Sequence, residues 1–275
     1  MDNTANKQQD ELDGRIKKNL AQIKHKIIVL SGKGGVGKTT VAVNLAFGLA
    51  LQGSKVGILD VDIHGPNTAK MLGVENRVML QSGSGIEPVK VKDNLKLVSI
   101  SFLLKTPDQP VIWRGPLKMA AIKQFLGDVN WGLLDYLIVD SPPGTGDEPL
   151  SVCQIIPDLD GAVIVTTPQD VAVLDARKTV EFARQLKIPV IGIIENMSGL
   201  ICPYCKKEIR LFGRDGGRNA AVNLGVEFLG RIPIEPNIVN WADKGESFLG
   251  KPANSAFEPM NNIIGKINDF AGKKG

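Results

Sequence analysis

At 275 residues, with 43% hydrophobic and 23% charged side chains, the chain has room for one large domain or two small ones and an ordinary globular composition. Its 33 basic and 29 acidic residues leave a charge of +4, too mild a balance to argue for nucleic acid. No apolar run approaches the roughly 18 residues that a membrane-spanning helix needs, and the polar start has no apolar signal core. Three cysteines in so long a chain argue for a reducing compartment over a disulfide framework, and the chain reads as cytoplasmic.

Residues 1–24 read as a flexible, disordered or loosely helical tail and 25–275 as one domain. Along that domain, short apolar runs at 27–30, 56–59, 97–100, 136–139, 162–165, 190–194 and 226–229 predict strands. Helix-length segments at 38–52, 116–127, 147–156, 170–186, 216–224 and 254–270 lie between or after them. Most runs are continuously apolar, as in strands covered on both faces. The alternation therefore predicts an α/β fold with a doubly wound, mostly parallel sheet flanked by helices. Ligands in such sheets gather at the C-terminal strand ends. Residues 73–95 read as an excursion from the sheet, a loop or hairpin. The apolar positions of the last segment, Phe257, Met260, Ile263, Ile264, Ile267 and Phe270, recur at helical spacing and read as core rather than as a membrane-binding face.

The stretch Gly32-Lys33-Gly34-Gly35-Val36-Gly37-Lys38-Thr39, followed by Thr40, lies between an apolar run and a helical segment, the context a phosphate-binding loop requires. Its glycines let backbone N–H groups converge on phosphate oxygens. Lys38 is expected on the β- and γ-phosphates of ATP, and the Thr39 hydroxyl on Mg²⁺. Lys33, at the outer lip, has two readings: a charge serving a partner's nucleotide, or a solvated surface lysine. KGGVGKTT resembles the deviant Walker A loop of the ParA/MinD and nitrogenase-iron-protein class of dimeric ATPases, where the first lysine crosses between subunits. DVDIHGPN at 60–67, WRGP at 113–116, DSPPGTGD at 140–147, TPQDVA at 167–172, ENMS at 195–198 and CPYC at 202–205 together resemble the Mrp/NBP-type iron–sulfur cluster carriers of that class.

Asp60, Asp62 and Asp140 each follow an apolar strand. The resemblance implies that Asp60 and Asp140 serve Mg²⁺, that Asp62 positions the attacking water, and that Asn196 hydrogen-bonds adenine. It also implies an ATPase whose catalytic residues are Lys33, Lys38, Asp62 and Asp140. Gly144 and Gly146 leave the loop after Asp140 free to rearrange.

Cys202 and Cys205 have metal-ligand spacing but no nearby third ligand. His25 and His64 are distant in sequence; His64 reads as a packing residue of the switch loop, and Cys153 as a small core residue. A redox couple, an inert turn and a half-site completed by a second copy compete. The half-site agrees with the dimer that a trans-acting Lys33 requires. The resemblance then implies a 4Fe–4S cluster bridging a homodimer, received from a scaffold and delivered to apo iron–sulfur proteins, with slow hydrolysis setting cluster affinity. The thiolates alone leave zinc open. A MinD/ParA-type positioning ATPase and a zinc-stapled dimeric scaffold are the alternatives; neither nucleic acid nor a membrane is expected as a partner. Compared with the family, no N-terminal cluster site is expected, and GRDGGRN at 213–219 departs from the usual acidic, glycine-rich stretch.

Overall fold

A computed structural model of the chain describes residues 2–63, 65–83, 85–104, 115–202 and 204–273. The expectations attached to His64, Trp113, Arg114 and Pro203 lie outside these residues. The chain begins with α1 (Asp2–Leu20) and enters β1 (Ile23–Leu30). The glycine-rich loop separates β1 from α2 (Lys38–Leu51), followed by β2 (Val56–Asp60) and the one-turn α3 (Thr68–Met71). A hairpin of β3 (Leu80–Ser82) and β4 (Gly85–Glu87) leads to β5 (Val89–Lys92) and β6 (Leu95–Ser99). Helices and strands then alternate through α4 (Gly115–Gly127), β7 (Leu134–Asp140), α5 (Asp147–Ile155), β8 (Gly161–Thr166), α6 (Asp170–Gln185) and β9 (Val190–Glu195). A second hairpin, β10 (Leu200–Ile201) and β11 (Glu208–Ile209), precedes α7 (Gly216–Leu224), β12 (Phe228–Arg231), α8 (Asn237–Asp243) and α9 (Phe257–Gly272).

The main sheet has eight strands in the order β12-β9-β8-β1-β7-β2-β6-β5, all parallel except the β5–β6 pair. Successive residues of a strand face opposite layers. Ile27 and Val29 pack with α2 and α9, while Ile28 and Leu30 pack with α1, α4 and α5. Both faces are therefore covered, which is why β2, β7 and β8 read as unbroken apolar runs. The expected doubly wound sheet is present. In α9, Met260, Ile263, Ile264 and Ile267 are fully buried core residues. Among the described residues, no helix is long and apolar enough to cross a membrane.

Two segments differ from expectation. Residues 73–95 include the β3–β4 hairpin, but they also supply β5, the antiparallel edge of the main sheet. Its sequence VKVK alternates, as suits a strand with one solvated face and an open edge. The presumed tail is α1. Leu12, Ile16 and Leu20, four residues apart, form a narrow stripe against the α4 layer, with Ile16 and Leu20 buried. Asn19 Nδ2 donates to the carbonyls of Leu126, Gly127 and Val129 at 3.2, 2.8 and 3.2 Å, satisfying the end of α4.

Candidate functional site

The nucleotide loop sits at the C-terminal end of β1, with β7 and β8 on either side. Gly37 adopts φ 83°, and a Cβ there would lie 2.1 Å from Asn196 Nδ2. Gly32 is equally constrained: a Cβ would meet the Asp175 backbone of α6 at 2.4 Å. Gly34 and Gly35 form an exposed crown, whereas the Val36 side chain is buried. Lys33 is half-buried at the rim, its carbonyl accepting the Ser31 hydroxyl at 3.0 Å. Among the described residues, its ammonium makes no ion pair.

Lys38 and Thr39 begin α2 and turn toward the strand-end carboxylates. Lys38 Nζ lies 2.6 Å from Asp140 Oδ1 and 3.2 Å from Asp62 Oδ2, and Thr39 Oγ1 donates to Asp140 Oδ2 at 2.7 Å. Asp60 and Asp140 end adjacent strands as cross-strand partners, both fully buried. Ser99, at the end of β6, donates to Asp60 Oδ2 at 2.9 Å, and the Asp62 N–H donates to Asp60 Oδ1 at 3.1 Å. Thr40 follows, half-buried, its carbonyl accepting Asn44 Nδ2 at 2.8 Å.

Charge is unbalanced here. Burial, and then the Asp140 carboxylate, push Asp60 up to about 7 against the opposing pull of Ser99 and Lys38. Burial likewise raises Asp140, incompletely offset by Lys38 and Thr39. Burial pulls Lys38 down, but Asp140, Asp62 and Asp60 outweigh it and hold the ammonium above the ordinary lysine value. Three carboxylates thus share one ammonium, and Asp62 Oδ1 is buried with no hydrogen-bond partner among the described residues. Hard oxygen donors with too little positive charge fit a divalent cation such as Mg²⁺, with Thr39, Asp60 and Asp140 the residues that would hold it.

The rest of the rim is tied to the same loop. Gly144, in the loop after β7, donates its N–H to the Ser31 carbonyl at 2.7 Å, while Asp147 is exposed at the start of α5. Glu148 in the same turn pairs with buried Lys118 of α4 at 2.5 Å. Asn196, just beyond β9, is buried, and its Nδ2 donates to the Val36 carbonyl at 2.9 Å.

Cys202 and Cys205 lie in the turn of the β10–β11 hairpin, with Cys202 half-buried and Cys205 exposed. The Cys202 N–H donates to the Lys207 carbonyl and the Lys206 N–H to the Cys202 carbonyl, both at 3.0 Å. The backbone N–H groups of Cys205 and Tyr204, followed by the Cys205 thiol, hold the Cys202 thiol below the usual cysteine value. A lowered value enlarges the thiolate share, the form in which a cysteine reacts or binds a soft metal. No third His, Cys, Asp or Glu ligand joins the pair among the described residues. Ile201, Tyr204, Ile209, Leu211 and Phe212 surround it with exposed apolar surface, Tyr204 being 94% exposed. Cys153 is instead on the buried face of α5, and burial pushes its thiol up to about 12.

Sequence reasoning missed Ser99, Lys118 and the carboxylate of Glu195. Ser99 carried a usable signal, as the one polar residue inside the apolar run 97–100. Glu195 is fully buried at the end of β9, accepting Ser198 Oγ at 2.5 Å and the N–H groups of Asp215 and Gly217 at 3.2 and 2.7 Å.

Residues 22–268 match the ParA family described as NUBPL iron-transfer P-loop NTPase. The chain is 59% identical over 233 residues to an iron–sulfur cluster carrier protein of Methanocaldococcus jannaschii, covering 85% of this chain and 80% of that one. It is 47% identical over 263 residues to a protein of the same description from Saccharolobus solfataricus, covering 95% and 89% respectively. Among solved structures it is similar to a nucleotide-binding protein of Archaeoglobus fulgidus in complex with ADP, with TM-score 0.78 and 41% identity over 87% of this chain and 94% of that one. It also resembles the cell-division protein MinD of Aquifex aeolicus, with TM-score 0.65 and 25% identity over 89% and 97%. A phosphate loop facing buried carboxylates, in a chain matched over residues 22–268 by the family, makes this protein a member of the ParA family of iron-transfer P-loop NTPases.

Proposed function

We propose that the protein is an iron–sulfur cluster carrier that binds and slowly hydrolyses ATP, and that two copies together hold the cluster. ATP lies on Gly32–Thr40, Lys38 meeting the terminal phosphates and Asn196 meeting adenine. Mg²⁺ supplies the positive charge that the carboxylates lack, held by Thr39, Asp60 and Asp140. Asp62, whose Oδ1 is buried without a hydrogen-bond partner among the described residues, orients the attacking water, and Lys33 acts on the partner's nucleotide.

The single observation that carries the carrier reading is the paired thiols on an exposed hairpin with no further ligand within reach among the described residues. Clusters commonly take four thiolates, so a second copy completes the site as a bridging 4Fe–4S cluster. The apolar rim of Ile201, Tyr204, Leu211 and Phe212 is a surface that a symmetric partner would cover. The cluster is cargo, loaded from a scaffold and passed to apo iron–sulfur proteins. A face-to-face dimer also brings Lys33 to the opposite loop. The positioning-ATPase reading gains nothing from α9, whose apolar stripe is spent in the core.

Anaerobic reconstitution with iron, sulfide and zinc together tests this reading. Four iron atoms per dimer by metal analysis, lost with Cys202→Ser or Cys205→Ser, and transfer to an apo-ferredoxin are the expected results. Zinc without iron, or full iron on a chain that stays monomeric by light scattering, overturns it.

A further inference from the structure

The thiol hairpin and the nucleotide loop are joined by a continuous path. Asn196 is tied to the Val36 carbonyl of the loop. From there residues 197–201 run directly to Cys202, through left-handed turns at Met197 (φ 55°) and Gly199 (φ 83°). Backbone bonds from Ser198 N–H to Ile232 O and from Ile234 N–H to Gly199 O, at 2.9 and 2.7 Å, hold this connector against the chain beyond β12. The hairpin has only two residues in each strand, and Ile201 and Ile209 are exposed, so little burial of its own fixes its orientation.

A chain of charges does so instead. Glu208, the cross-strand partner of Ile201 and thus beside Cys202, accepts Arg214 Nη1 at 2.6 Å. Its Oε1 covers Gly199 so closely that a Cβ there would be 2.8 Å away. Arg214 Nε is 3.6 Å from Asp215 Oδ2, and Asp215 pairs with Arg231 of β12. Arg231 Nε is 3.9 Å from buried Glu195, which itself accepts the Asp215 and Gly217 N–H groups at the start of α7 and immediately precedes Asn196. Arg231 Nε is buried without a hydrogen bond among the described residues, and Asp215 is held at φ 66°. An ion chain that ends on a fully buried carboxylate has few alternative arrangements.

We propose that Arg214 and Arg231 are positioning residues that couple the nucleotide loop to the orientation of the Cys202–Cys205 turn, through Glu208, Asp215 and Glu195. The inference rests on the reading of that turn as the cluster site and adds the route by which nucleotide reaches it. A shift of Asn196 when nucleotide binds moves Glu195, and the charge chain carries the movement to the hairpin base. By linkage, whatever binds the thiols must alter nucleotide affinity by the same factor.

The test uses the full apo chain and follows alkylation of Cys202 and Cys205 by peptide mass spectrometry, with and without MgADP and a non-hydrolysable ATP analogue. Nucleotide is expected to change the wild-type rate about 3-fold or more. Glu208→Gln and Arg214→Gln should each cut that response below about 1.5-fold with nucleotide Kd within about 2-fold of wild type, and their combination should add nothing. Arg214→Lys should keep most of the response. Both Glu208 and Arg214 are about a third exposed, so neither substitution threatens folding. A wild-type rate indifferent to nucleotide, or variants that respond like wild type, overturns the coupling. A response lost as described, in a chain that takes up no iron on reconstitution, upholds the coupling and removes the carrier reading instead.

Discussion

The Lys38 ammonium and the Asp140 carboxylate form a buried ion pair, 2.6 Å apart, between the start of α2 and the end of β7. The pair is lopsided because Asp62 and Asp60 draw on the same ammonium. Its two halves are therefore not equivalent. Lys38→Met leaves three buried carboxylates with no counter-charge and is expected to cost about 3–5 kcal/mol in the apo protein. Asp140→Asn removes one negative charge from an excess and should cost far less. Both should lose at least about 10²-fold in ATP hydrolysis. Urea midpoints that are equal for the two apo variants contradict this ordering, whatever the turnover.

The charge excess also gives a pH dependence. Asp60 titrates at about 7 in the fold against 3.8 for a free side chain, so the folded state holds a proton that the unfolded state releases. A raised carboxylate pKa means that stability falls as pH rises through this window: the penalty is absent below 3.8 and complete above about 7. Asp60→Asn should therefore stabilise the apo protein at pH 8, on the order of 1–3 kcal/mol, and leave it little changed at pH 4. Millimolar Mg²⁺ with ADP should shrink that gain, since the wild-type carboxylate then has a cation to face. Thermal unfolding at the two pH values, with and without MgADP, reads this directly.

How far such features could be read in advance depends on whether their cause is local. The strands β2, β7, β8 and β9 are continuous apolar runs because both faces are covered, and the glycine pattern of the loop reflects conformations that Gly35 and Gly37 adopt at φ 80° and 83°. Those causes are written in adjacent residues. Glu195, Asp215 and Arg231 are not so legible, because charges far apart in sequence acquire meaning only when β9, α7 and β12 come together. The edge strand β5 hid behind its alternating lysines. In α1 the apolar stripe is one residue wide, Leu12, Ile16 and Leu20, amid a strongly polar sequence that resembles a solvated tail.

That stripe makes α1 testable. Ile16 is 3% exposed against α4, so Ile16→Ala should destabilise the chain by about 2–4 kcal/mol. Asn19→Ala should cost about 1–2 kcal/mol by removing the donor to three carbonyls, those of Leu126 and Gly127 at the end of α4 and of Val129 just past it. A solvated tail would make both changes neutral in a urea titration.

Gly37→Ala meets two obstacles at once. The backbone is left-handed, and the added methyl would fall 2.1 Å from Asn196 Nδ2, which the loop needs for its bond to the Val36 carbonyl. Either Asn196 is displaced or the loop opens. Nucleotide affinity should fall by about 10²-fold or more while global stability changes by only about 1–2 kcal/mol. Binding of a fluorescent ADP analogue, compared with the thermal midpoint, separates the two effects; an unchanged Kd would mean that the loop does not hold nucleotide in the form described.

The three cysteines divide by environment, and alkylation counts them. Burial pushes Cys153 up to about 12, leaving almost no thiolate at neutral pH. Cys202 is held below the ordinary value by the N–H groups of Cys205 and Tyr204, so its thiolate share is enlarged. Iodoacetamide at pH 7.5 should therefore add two groups to the native apo chain, on Cys202 and Cys205, and a third only in denaturant. Reconstitution with iron and sulfide should protect those two while leaving Cys153 as unreactive as before. Modification of Cys153 in the native chain at a rate matching Cys202 would mean that α5 opens from the apolar core it covers.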